Sequence, residues 1–92
     1  MALLSDEQIR EKLKQLPGWE RVGTEIRKTY PFASFGEGMA FANQVAAVAD
    51  ALDHHPDMLI QHRQVTLTLT SHDAGGLTER DFRLARRIDG NG

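Results

Sequence analysis

The chain has 92 residues, 40% of them hydrophobic and 26% charged, with eleven Lys and Arg against thirteen Asp and Glu and no cysteine. That balance excludes a disordered tail, a coiled coil or a fibrous repeat, and the lack of cysteine excludes disulfides, thiolate metal sites and Cys nucleophiles. A formal charge of −2 argues against a nucleic-acid partner, which calls for a basic excess, and so short a chain buries only about 60–65% of its unfolded surface, so that a partner subunit would help its core.

Met1-Ala2-Leu3-Leu4 runs straight into Ser5-Asp6-Glu7, so no secretory h-region forms. No apolar run approaches the ~20 residues that cross a bilayer. A single cytoplasmic domain over residues 1–92, with no membrane partner, is expected. Ser5 and Gln8 form a capping box, with Leu4 and Ile9 as its hydrophobic staple, and start a helix that Pro17-Gly18 ends. Trp19 to Val22 and Glu25 to Phe32, joined at Gly23-Thr24, read as a first hairpin.

Ser34 and Glu37 repeat the capping box before the longest helix. There Phe35, Met39, Ala42, Val45, Ala49 and Leu52 recur at three and four residues and draw one apolar stripe. Ala40, Ala46, Ala47 and Ala51 widen it, so this helix is expected to be covered on two sides, by its own sheet and by a second subunit. Pro56 ends it. Asp57 to Arg63 reads as a strand paired with Val65 to Thr70, which alternates apolar and hydroxyl residues: Val65, Leu67 and Leu69 inward, Thr66, Thr68 and Thr70 outward. Thr78 and Asp81 cap a third helix, with Leu77 and Phe82 as staple. Paired strands between helices predict an α+β domain, an antiparallel sheet with its helices on one face.

Four histidines, His54, His55, His62 and His72, are the groups most able to carry chemistry. Asp50 stands four residues before His54, on the same helical face. A carboxylate there would fix the imidazole tautomer and suit proton transfer; a favourable contact with the helix C-terminal dipole is the plainer alternative. His72, if its strand runs on through Ser71, falls on the outward face with the threonines; otherwise it is a solvated loop residue before Asp73-Ala74-Gly75-Gly76. His62 reads as structural or surface. Asp81 could be explained by its cap alone, and Asp53 by solvation. Arg80, Arg83, Arg86 and Arg87 read as a solvated face in so acidic a chain. Zinc needs three or four converging ligands, and helical His ligands stand at i and i+4, whereas His54 and His55 are adjacent. No metal and no cofactor are therefore expected, and acid/base work by two imidazoles is what remains.

Asp50-Ala51-Leu52-Asp53-His54-His55-Pro56, then Thr70-Ser71-His72-Asp73, then Gly76-Leu77-Thr78-Glu79-Arg80-Asp81 together resemble the pterin-4a-carbinolamine dehydratases. The Pro17-Gly18-Trp19 turn fits the same family, so the resemblance covers nearly the whole chain. It implies a four-stranded antiparallel sheet with three helices on one side. It also implies homodimers or homotetramers, joined through the Phe35–Leu52 helix and the sheet edges. The implied reaction is dehydration of a 4a-hydroxytetrahydropterin, such as 4a-hydroxytetrahydrobiopterin, to the quinonoid dihydropterin in tetrahydropterin recycling. By position, His54 and His72 become the acid/base pair and His55 holds the pterin. Asp53 and the segment Thr70, Ser71, His72 and Asp73 shape the pocket. Asp50 orients or charge-stabilises the site, and Asp81 both caps its helix and supports His72. Met58 and His62 stand where the family commonly has aromatics. The same fold also serves as a dimerisation cofactor of a transcription regulator, which gives a non-catalytic alternative.

Overall fold

Strand alternation and three side-chain caps set the frame of the computed structural model, which describes residues 2–90. Its elements are α1 (Asp6–Leu13), β1 (Glu20–Val22), β2 (Glu25–Pro31), α2 (Phe35–Leu52), β3 (Asp57–Gln61), β4 (Gln64–Leu69) and α3 (Glu79–Ile88). The strands form one antiparallel sheet in the order β1-β2-β4-β3. Register places Ile26 opposite Leu69, Tyr30 opposite Val65, and Ile60 opposite Val65 on the other side. This face carries the core, with Ile26, Val65, Leu67 and Leu69 fully buried. Ile9 of α1, Val45 and Ala49 of α2, and Phe82, Leu84 and Ala85 of α3 close over it. Thr66 and Thr68 take the opposite face, as the alternation requires.

The caps at α1 and α3 are complete and reciprocal. At α2 only half the box forms. Ser34 Oγ accepts from the Glu37 N–H, but the Glu37 carboxylate lies toward the Ser34 hydroxyl, at 3.4 Å, rather than the backbone N–H. Phe35 also departs from expectation. It sits at the first helical position and is 49% exposed, while Gly38, Ala42, Val45 and Ala49 form the buried stripe. Phe41 and Val48, outside the expected stripe, pack against the core from its flank.

The strands end earlier than the sequence suggests. β3 stops at Gln61, because His62-Arg63 forms the two-residue turn into β4. His62 is therefore an exposed turn residue, whereas Met58 pairs with Leu67 on the edge strand. β4 stops at Leu69 because Thr70 turns aside, its hydroxyl donating to the Thr24 carbonyl at 2.8 Å. Beyond α3, the Asp89 carboxylate accepts from Trp19 Nε1 at 2.8 Å, from Lys28 Nζ at 3.1 Å and from the Tyr30 hydroxyl. That carboxylate ties the end of the last helix to β2 and to the Pro17-Gly18-Trp19 turn.

Candidate active site

Asp53 decides where the two adjacent histidines go. It adopts the left-handed conformation at φ 51°, ψ 44°, a region Asp enters more readily than most non-glycine residues. Its N–H bonds the Asp50 carbonyl, and the His54 N–H bonds the Ala49 carbonyl at 3.1 Å. This is the paired bonding of a Schellman turn. The turn swings His54 inward and leaves His55 outside. The i, i+4 expectation for Asp50 and His54 fails for this reason: the helix ends at Leu52, between them. Asp50 instead meets His55 Nε2 at 2.9 Å, and both side chains are exposed.

His54 reaches across to α3. Its Nε2 lies 2.6 Å from Asp81 Oδ1, with His54 9% and Asp81 0% exposed. Asp81 Oδ2 accepts from the Ser71 hydroxyl at 2.8 Å and from the Thr78 N–H at 2.9 Å. Since Ser71 spends its proton on Asp81, the Thr78 hydroxyl donates to Ser71 Oγ, at 2.8 Å. A carboxylate oxygen only accepts, so Nε2 of His54 carries the proton. Among the described residues its Nδ1 has no hydrogen-bond partner, which leaves that nitrogen able to exchange a proton with a ligand. Buried chains of this kind fix side-chain geometry because every member is satisfied.

Asp81 therefore caps its helix as expected, but its buried imidazole partner is His54, not His72. The expected pocket residue Ser71 is itself buried, its hydroxyl committed to this network. His72 lies on a closed turn rather than on a strand. Ser71 and Gly76 exchange both backbone hydrogen bonds at its mouth, and Ala74 and Gly75 N–H groups bond the Ser71 carbonyl inside it. Gly75, at φ 81°, supplies the left-handed residue that the turn needs. Because Ser71 and His54 share the Asp81 carboxylate, the turn that begins with His72 starts from a residue bonded to the same carboxylate as His54. His72 and Asp73 are exposed there.

Arg80 is the neighbour that sequence reasoning missed. It lies on the first turn of α3, yet its Nη2 bonds Asp73 Oδ1 on the His72 turn. That bond holds the Asp73 carboxyl below the usual carboxylate range. It also raises the Arg80 guanidinium further, with the nearby Asp81 and Asp53 carboxylates adding to it. The signal was available: a cation in the first turn opposes the helix dipole, so Arg80 there calls for a carboxylate partner. Among the described residues no group of three or more His, Asp and Glu is arranged to hold a metal ion, and no helix is long and apolar enough to cross a membrane.

The family model described as pterin 4 alpha carbinolamine dehydratase matches residues 2–91. A Roseiflexus sp. (strain RS-1) protein provisionally named pterin-4-alpha-carbinolamine dehydratase is 56% identical over 86 residues, which are 94% of this chain and 92% of that protein. A Sulfurisphaera tokodaii protein with the same provisional name is 44% identical over 97% of this chain and 96% of its own. The crystal structure of a transcriptional coactivator/pterin dehydratase from Brucella melitensis is similar at a TM-score of 0.92. It shares 32% identity, and 98% of each chain is covered.

Proposed function

This chain belongs to the pterin-4a-carbinolamine dehydratase family, and we propose that it dehydrates a 4a-hydroxytetrahydropterin to the quinonoid dihydropterin and water, as a step in tetrahydropterin recycling. Losing water needs a proton for the departing C4a hydroxyl and a base for a ring proton. As the C–O bond breaks, its electron pair leaves with the protonated hydroxyl, and the pair of the lost ring N–H bond becomes the new double bond. Imidazoles, with an ordinary pKa of ~6.5, divide those jobs near neutral pH.

The observation that carries this reading is the buried His54–Asp81 pair, whose carboxylate also anchors Ser71 and with it the His72 turn. In the proposal His54 and His72 are the acid/base pair, and Asp81 orients His54. His55, braced by Asp50, holds the pterin, with Asp53, Thr70, Ser71 and Asp73 shaping the pocket around it. The protein is assigned to the cytoplasm as one domain over residues 1–92. A homodimer or homotetramer is part of the proposal, through the open side of α2 and the sheet edges. Phe35, 49% exposed at the start of that helix, supports it, and sedimentation at micromolar concentration checks it.

An acid and a base of opposite required state predict a bell-shaped kcat/KM, and a flat profile from about pH 5 to 9 contradicts the imidazole pair. The coactivator in the Brucella melitensis protein's name favours one second reading, a non-catalytic dimerisation module of the same fold. On that reading His54→Ala and His72→Ala leave every activity of the protein unchanged.

A further inference from the structure

Residues 80 and 81 are neighbours in the chain, yet they grip two different parts of the site. Asp81 holds His54 and Ser71 in the interior. Arg80 reaches the other way, to Asp73 at the tip of the His72 turn. The turn is thus held at its base by Asp81 through Ser71, at its mouth by the Ser71–Gly76 bridge, and at its tip by Arg80. Without the last contact, the Ser71 carbonyl would still gather the Ala74 and Gly75 N–H groups, but the Asp73 side chain would no longer tie the outer edge of the turn to α3.

A second observation concerns the guanidinium itself. The Arg80 side chain is 28% exposed, but its Nε–H is shut off from solvent and has no acceptor among the described residues. A buried donor left unpaired is unfavourable. An arginine serving only solubility would turn outward and satisfy all five donors in water. Arg80 stays folded in, where it faces Asp73 directly and lies near Asp53 and Asp81.

We infer that Arg80 is a positioning residue for the dehydration site: its guanidinium clamps Asp73 and so sets His72 against the fixed His54–Asp81 pair. The inference rests on the proposed function for the role of His72, but the clamp itself can be tested without substrate. Arg80→Gln and Asp73→Asn both remove the clamp and leave the His54–Asp81 network intact. Arg80→Lys keeps the charge and loses the planar fork.

The test compares these three variants and the Arg80→Gln/Asp73→Asn double variant with the intact chain, by dehydration kinetics and by amide hydrogen exchange. Misplacing a reacting group costs roughly 10- to 100-fold, so Arg80→Gln should lose about that much kcat with KM little changed. Asp73→Asn should lose a similar kcat with KM raised as well, because Asp73 is also a proposed pocket residue. The double variant should lose no more than either single one, because all three break the same contact. Arg80→Lys should recover part of the loss. Exchange at Ala74, Gly75 and Gly76 should quicken about tenfold in Arg80→Gln while core amides stay protected. Unchanged exchange in Arg80→Gln overturns the clamp, as does a wild-type kcat in that variant of an active protein, or a double variant whose losses multiply. If the unmodified protein turns over no pterin but Arg80→Gln still loosens the turn, the clamp stands and the proposed function fails.

Discussion

His54 and Asp81 lie 27 residues apart in the chain and 2.6 Å apart in space, on the end of one helix and the start of another, shielded from water. The Asp81 carboxylate accepts three hydrogen bonds, from His54, Ser71 and Thr78. One side chain therefore fixes a helix start, an imidazole tautomer and the base of a turn.

Asp81→Asn separates these duties. The amide keeps the shape but must point its NH2 either at the His54 Nε2–H or at the Ser71 and Thr78 donors. Turned toward Ser71 and Thr78, the NH2 leaves buried donors facing donors; turned toward His54, it keeps its bond only if the imidazole moves its proton to Nδ1. The charge-assisted bonds of the carboxylate are lost in either case, which costs about 1–3 kcal/mol in denaturant melts. Turnover should fall further than stability implies, by roughly 10²–10⁴-fold, because proton transfer through His54 loses its tautomer. An unaltered melt would show that the carboxylate is not the acceptor hub described.

Asp53 combines a backbone duty with a proposed pocket duty. At φ 51°, Asp53→Gly should fold at least as well as the unmodified chain, whereas Asp53→Ala should lose about 1 kcal/mol. If the carboxylate also meets the pterin, both variants raise KM while only the alanine lowers the melting temperature. Equal stability for the two would refute the left-handed turn.

Asp89 is a structural counterpart with no place in the proposed chemistry. Asp89→Ala strips the acceptor from Trp19 Nε1, Lys28 Nζ and the Tyr30 hydroxyl. A loss of about 2–4 kcal/mol is expected in urea unfolding, with kcat unchanged under conditions where the variant stays folded. A neutral Asp89→Ala would contradict the assignment of this carboxylate as the tie between the last helix and β2.

Tyr30 gives the alkaline limit. Burial first, and then the hydrogen bond to Asp89, push its phenol above the ordinary 10.0. A raised folded-state pKa means that its contribution is intact below pH 10 and is lost as the pH climbs further, when the unfolded chain releases the proton more readily. Tyr30 is the sole tyrosine, so Tyr30→Phe should flatten the decline in stability between about pH 9.5 and 11. An identical decline in both proteins would place the alkaline weakness elsewhere.

The sequence announced its frame through local rules. Ser5 with Gln8, Thr78 with Asp81, and the threonine alternation each carry a period or a spacing, and each appears in the structure. What it hid depended on where a helix stops. Asp50 and His54 share a face only if α2 continues, and one left-handed residue at Asp53 exchanges the partners, giving Asp50 to His55 and His54 to Asp81. Phe35 and His62 departed for a similar reason, being one position inside or outside an element end. The link from Arg80 to Asp73 spans two elements, so no periodicity carries it.

The most direct test of the dehydratase reading is the dehydration of a 4a-hydroxytetrahydropterin, generated in situ and followed by ultraviolet absorbance with and without the protein. Clear acceleration is predicted, falling roughly 10²–10⁴-fold in both His54→Ala and His72→Ala while His72→Ala, at an exposed turn position, melts with the unmodified chain. No acceleration near neutral pH, or full acceleration in both variants, would contradict it.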